Sequence, residues 1–237
     1  MKKRNDLGLN SIRVVDNKNK IQVKKSYFLL KGLKMKKIYL VRHGETLWNY
    51  MSKTQGCKNI LLSKKGIFQA KAVANRLSSF DEKYIKIYSS DLDRCLITAK
   101  YISQKINKEI EVLKDLREMN FGSWEGLTSE EIKQNYLSEY NIWRNTPHIA
   151  NIPNGENLKS VQKRCLKAIY KICDEFEEGS VIIVSHGVAI KTIILGVLNI
   201  DLSNYYKISL NNGSINKIEI RSYGTVLTAL NDTAHLE

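Results

Sequence analysis

The chain is predicted to fold as α/β, a three-layer α/β/α arrangement with a mostly parallel central sheet and helices on both faces. Three observations carry this. Short apolar runs of strand length, Lys37-Ile38-Tyr39-Leu40-Val41, Ile85-Lys86-Ile87-Tyr88 and Val181-Ile182-Ile183-Val184, recur along the chain with helix-periodic stretches between them. Each run ends in a polar cluster: Arg42-His43-Gly44-Glu45-Thr46, Ser89-Ser90-Asp91-Leu92-Asp93-Arg94 and Ser185-His186-Gly187. A length of 237 residues suffices to bury one sizeable core of this kind.

Taken in order, Thr46 to about Ser52 reads as a short helical segment, followed by a polar loop around Gln55-Gly56. Ser63 can cap a helix whose apolar positions Ile67, Ala70, Val73, Ala74 and Leu77 keep helical spacing. Another helix opens at Cys95-Leu96-Ile97-Thr98-Ala99, and Glu109 to Leu113 reads as a strand. Thr128-Ser129-Glu130-Glu131 has the side chains of a capping box and starts a helix expected to run toward Trp143. Pro147 and Pro153-Asn154-Gly155-Glu156-Asn157 form a turn cluster. Leu158, Val161, Cys165, Ile169, Ile172 and Phe176 then mark a long amphipathic helix. Ile215 to Ile220, a Tyr223-Gly224 turn and Val226 to Leu230 predict a terminal strand pair.

The formal charge of +14 is uneven: residues 1–34 hold ten Lys or Arg against two acids, giving +8 and leaving +6 for the rest. This segment is expected to be a basic extension, disordered or a non-native start, because Met35-Lys36-Lys37-Ile38 looks like a natural beginning. Residues 35–237 form the expected folded domain. A basic arm can tether a chain to nucleic acid. No nucleic-acid partner is expected, since helix-turn-helix, zinc and aromatic single-strand signatures are missing. No apolar stretch is long enough to span a bilayer, so no membrane association is expected. The N-terminus has no apolar signal core, so the protein is expected in the cytoplasm. The cysteines at 57, 95, 165 and 173 form no Cys-x-x-Cys pair and read as small core residues. A homo-oligomer stays open.

The strand-end clusters carry the chemistry. In an α/β sheet ligands bind at the carboxyl ends of strands. Histidine can act as a nucleophile, a guanidinium can hold a phosphate, and Gly44 lets the backbone turn sharply or approach an anion. The chain resembles the histidine phosphatase superfamily, the phosphoglycerate mutase-like enzymes. The resemblance rests on Arg42 to Thr46 continuing to Trp48-Asn49, on the Ser89-Ser90-x-Leu92-x-Arg94-x-x-x-Thr98-Ala99 element, on Leu116-x-Glu118-x-x-x-Gly122-x-Trp124-Glu125-Gly126, and on Ser185-His186-Gly187. It covers about residues 35 to 237.

The resemblance implies a phosphohistidine enzyme with His43 as nucleophile and Glu118 as the group that protonates the leaving alkoxide and later takes a proton from water. It implies phosphate-binding roles for Arg42, Asn49, Arg94 and His186, the last donating to a phosphate oxygen beside His43. A nearby backbone carbonyl could fix the reactive tautomer of His43. Each preorganised donor is worth roughly 3 kcal/mol in the transition state. Glu45 and Glu125 compete as carboxylates but read as structural, and Trp124 as packing. No cofactor is expected, and no metal: there is no His-x-His, no Asp-rich cluster and no glycine-rich phosphate loop.

Hydrolysis and mutase work are separated by the residues after Glu118. The mutase branch typically has Arg-His-Tyr-Gly there, whereas this chain has Met119-Asn120-Phe121-Gly122, with both cations missing. That predicts a metal-independent phosphomonoesterase acting on small phosphorylated metabolites. A cofactor-dependent phosphoglycerate mutase and a catalytically silent phosphate-ligand module are the alternatives. The segment Gln55 to Ile60 and a lid from Trp143 to Asn157 are expected to shape the leaving-group pocket.

Overall fold

A computed structural model describes residues 35–237, together with Val14–Val15 (β1) and Ile21–Gln22 (β2), which pair antiparallel. The expectations for residues 1–34 otherwise lie outside the described residues. From Lys36–Arg42 (β3) onward the strands are Tyr84–Ser89 (β4), Ile110–Val112 (β5), Gly179–Ser185 (β6), Ile215–Arg221 (β7) and Gly224–Asp232 (β8). They form one sheet in the order β5-β4-β6-β3-β7-β8. β5, β4, β6 and β3 run parallel, while β7 and β8 add an antiparallel edge.

Side-chain alternation builds two cores from the same strands. Ile38 and Leu40 of β3 and Val181 and Ile183 of β6 face one, packed by Val161, Ile169, Ile193 and Ile194. Tyr39, Val41, Ile182 and Val184 face the other, against Val73, Leu77, Ala99 and Ile102. Strands buried on both faces need no polar alternation, which is why β6 reads as an unbroken apolar run. Cutting Ile183 back to Ala removes a fully buried side chain and should cost about 2–5 kcal/mol.

The helices are Leu47–Tyr50 (α1), Lys64–Ser78 (α2), Asp93–Ile106 (α3), Ser129–Asn135 (α4), Leu137–Asn145 (α5), Leu158–Asp174 (α6) and Gly187–Val197 (α7). Ser63 caps α2 by accepting from the Gly66 N–H, and Thr128 and Glu131 close the expected capping box. The helix expected to run unbroken to Trp143 is interrupted at Tyr136, at φ −140 and ψ 48. Ile132, Tyr136, Tyr140 and Trp143 keep helical spacing across the break, so periodicity hides it. The Asn135 side chain turns back on the last turn and donates to the Glu131 carbonyl. Helix α6 ends at Asp174, so Phe176 packs from beyond its end.

Neighbours β3 and β6 send their chains to opposite faces. After β3 comes α2, which packs on the Tyr39 side; after β6 comes α7, which packs on the Ile38 side. The crevice between their carboxyl ends is therefore a topological switch point, where open α/β sheets bind ligands.

Candidate active site

Register places the two histidines together. Arg42 pairs with Ser185, and the His43 N–H donates to the Ser185 carbonyl at 3.0 Å. The rings of His43 and His186 lie 5.1 Å apart at 63°. Both are buried. Burial, together with the guanidiniums of Arg94 and Arg42, holds each imidazole well below the ordinary histidine range; for His186 the neighbouring His43 adds to the effect.

Their hydrogen bonding differs. His43 Nδ1 is 2.7 Å from the Gly44 carbonyl, which can only accept, so Nδ1 carries the proton and Nε2 keeps its lone pair. His186 is engaged at both nitrogens. Nδ1 accepts from Arg94 Nε at 3.2 Å, and Nε2 donates to Ser90 Oγ at 2.9 Å. Gly44 serves packing rather than an anion: a Cβ there would meet the Gly66 carbonyl of α2 at 2.3 Å. Its absence lets the first turn of α2 close against the strand end.

Arg94, at the start of α3, is almost fully buried. Its Nη2 donates to the Gly56 carbonyl and its Nη1 to the Lys58 carbonyl, both at 2.7 Å. The Gln55–Ile60 segment is thus a cradle for Arg94, and Asn59 pins it by bonding the Asp93 carboxylate and N–H. Arg42 donates through Nη1 to the Leu210 carbonyl, while its buried Nε has no partner among the described residues. Burial lowers the proton affinity of both guanidiniums, with Glu118 opposing.

The Glu118 carboxylate docks on the first turn of α7. It accepts from the N–H groups of Met119, Val188 and Ala189 at 2.9, 3.2 and 3.2 Å. Asn49 commits Oδ1 to the Thr46 N–H and to Asn212 Nδ2, leaving its amide N–H groups for a ligand. All six predicted residues therefore converge on the ends of β3 and β6. Glu45 and Glu125 do not join them. Glu45 accepts from Ser63 Oγ, and Glu125 from the N–H groups of Cys57 and Phe121. Trp124 is core.

Four contributors escaped sequence reading. Asn212 Nδ2 donates to both the His43 carbonyl and Asn49 Oδ1. Arg164 of α6 straps the acid loop by donating to the carbonyls of Asp115, Arg117 and Glu118. Lys191 of α7 lies over the Tyr205 ring. Cys57, unlike the three buried cysteines, is half-exposed, and its thiol faces the Glu118 carbonyl at 3.5 Å. The turn composition of Asn211-Asn212-Gly213 was the one available hint.

Comparison with known proteins gives the family. The family model described as histidine phosphatase superfamily (branch 1) matches residues 38–233. This chain belongs to that superfamily. It is 34% identical to phosphoserine phosphatase 1 of Hydrogenobacter thermophilus over 204 residues, 85% of this chain and 95% of that protein. It is 37% identical to phosphoglycerate mutase-like protein 4 of Arabidopsis thaliana over 159 residues, 66% of this chain and 68% of the relative. Among solved structures, Entamoeba histolytica phosphoserine phosphatase in complex with phosphoserine superposes with a TM-score of 0.77 at 36% identity, covering 85% of this chain and all of that one. The protein is an enzyme, a histidine acid–base phosphatase. It hydrolyses phosphomonoesters by the metal-independent histidine mechanism of the superfamily. Among the described residues no group of three or more His, Cys, Asp or Glu could hold a metal ion, and no helix is long and apolar enough to cross a membrane.

Proposed function

We propose that His43 is the nucleophile and Glu118 the acid–base group in the hydrolysis of small phosphorylated metabolites, with Arg42, Asn49, Arg94 and His186 on the transferring phosphoryl group. The observation that carries this reading is the Gly44 carbonyl on His43 Nδ1, which leaves Nε2 unprotonated in the field of the buried Arg94 and the partly buried Arg42 guanidiniums. Nε2 attacks phosphorus in line with the ester oxygen. The P–O bond breaks as protonated Glu118 gives its proton to the leaving alkoxide. Water then attacks the phosphohistidine, Glu118 takes its proton, and the P–N bond breaks to release inorganic phosphate.

The developing charge on the equatorial oxygens is met by N–H groups that the protein leaves unpaired. Arg94 Nη1 and Nη2 each keep a second N–H, and Arg42 Nε is buried without a partner among the described residues. His186 Nε2–H, bonded to Ser90, is the further donor for which a phosphate oxygen would compete. Residues 35–237 are taken as the catalytic domain. A cytoplasmic setting is in keeping with four free cysteines.

The test is release of inorganic phosphate from an alkyl phosphate in the presence of a chelator, with enzyme quenched in alkaline detergent and examined for label on histidine. Turnover with label on His43 is expected. Bisphosphoglycerate-stimulated interconversion of monophosphoglycerates with negligible hydrolysis would overturn the reading.

A further inference from the structure

We infer that Lys191 forms a subsite for a carboxylate on the leaving group of the substrate, making this a phosphatase selective for carboxylated phosphomonoesters. The inference rests on the reading above and adds to it the part of the substrate that is not phosphate.

Lys191 sits one helical turn beyond Gly187 on α7, and Gly187 faces the Arg42 guanidinium closely enough that a Cβ on it would lie 3.5 Å from Cζ. Positions four apart share a helix face, and helical side chains lean toward the N-terminus. Lys191 therefore reaches along α7 toward the end where Glu118 is docked. Its Nζ lies 4.5 Å from the centroid of Tyr205, a buried ring that also touches Trp143 of α5 at 5.7 Å. The cation is thus held against Tyr205, which in turn packs on Trp143 of α5.

Among the described residues no acid pairs with it directly, and Glu118 acts on it only from a distance. Among the described residues Lys191 makes no hydrogen bond and no ion pair, although it is half-buried. An ammonium out of water without an anion is costly, and an aromatic face offsets only part of that cost. Burial and the neighbouring Arg42 bring its proton affinity down to about 8, against the pull of Glu118. A surface lysine placed for solubility would sit in water or beside a carboxylate, as Lys37 does with Glu82. A partly dried cation beside the reaction centre fits a ligand carboxylate that arrives with the phosphoryl group. It also answers the two cations missing after Glu118: the positive charge for the leaving group comes from α7 rather than from the acid loop.

The test compares phosphoserine with phosphoethanolamine, which differ by the carboxylate alone. Wild-type enzyme should prefer phosphoserine. Lys191→Met should lower kcat/KM for phosphoserine at least tenfold more than for phosphoethanolamine, mainly through KM, and Lys191→Arg should recover most of that preference. The ratio within one variant does not depend on how much of it folds. Equal losses on both esters would put Lys191 on the phosphoryl group and overturn the inference, as would an unchanged ratio or a wild-type enzyme indifferent to the carboxylate. His43→Ala separates the two levels, because continued turnover of both esters in that variant sinks the parent mechanism instead.

Discussion

Two neighbouring strands end in the same way and do different work. β3 closes on Arg42-His43-Gly44 and β6 on Ser185-His186-Gly187, in matched register, with both imidazoles buried and neutral. His43 spends one nitrogen on a backbone carbonyl and keeps the other bare. His186 spends one on a guanidinium and the other on a hydroxyl. On the proposed mechanism the bare lone pair makes His43 the nucleophile and the anchored ring makes His186 a fixed donor. Sequence spacing cannot separate these roles, because both residues read as histidine before glycine at the end of an apolar run.

Removing the nucleophile should break this comparison most sharply. His43→Ala is expected to lower kcat by about 10⁴-fold or more and to abolish alkali-stable, acid-labile enzyme labelling from labelled substrate. Glu118→Gln comes next, with a loss of about 10²–10⁴-fold on alkyl esters. Its loss on aryl esters should be far smaller, because a phenolate leaves without help. Equal losses on the two ester classes would remove Glu118 from the proton-transfer role. His186→Ala should cost about 10²–10³-fold, the range for one preorganised donor, while labelling on His43 persists. If the His186 variant fails to label and the His43 variant succeeds, the assignment is reversed.

How legible this was depends on distance along the chain. The sheet, and the gathering of the six named residues at one sheet end, could be read because each motif is a local strand–turn cluster, and because strands buried on both faces spell unbroken apolar runs. The contributors that went unseen act through tertiary contact. Arg164 looks like an ordinary basic residue on the wet face of α6, yet it crosses to three carbonyls of the acid loop. Asn212 reaches His43 and Asn49 from a turn far away in sequence. Gly44 was visible as a glycine, but its reason, room for the backbone at Gly66, belongs to packing. The break at Tyr136 leaves the apolar period intact and so leaves no trace in it.

The shared burial of the two rings predicts a pH profile. Both imidazoles are held well below 6.5, first by burial and then by nearby cations and, at His186, the other ring. A lowered histidine stays neutral as pH falls through 6.5, so kcat/KM should hold its value there and decline only at more acid pH. The same shift makes the unfolded chain bind more protons below 6.5, so acid should also weaken the fold. An acid limb at or above pH 6.5 in kcat/KM would contradict the neutral, buried His43 on which the nucleophile assignment stands.

The finest distinction between the two strand ends is the hydroxyl that only His186 has. Ser90 follows the last residue of β4 and accepts from His186 Nε2 at 2.9 Å, while Arg94 holds the opposite nitrogen. Ser90→Ala removes one anchor without touching the ring, leaving Arg94 on Nδ1 and the Cys95 thiol 3.4 Å from Nε2. A hydrogen bond of this kind is worth about 1 kcal/mol net, which is about fivefold in rate if the full value reaches the transition state. The expected result is a severalfold drop in kcat with phosphohistidine labelling intact, smaller than the His186→Ala loss by an order of magnitude or more. A loss as deep as that of His186→Ala would mean that Ser90 itself donates to the phosphoryl oxygens. No loss at all would mean that Nε2 turns from Ser90 to the phosphate in the working enzyme, leaving Arg94 as the ring's charged anchor and making the ring a mobile donor rather than a fixed one.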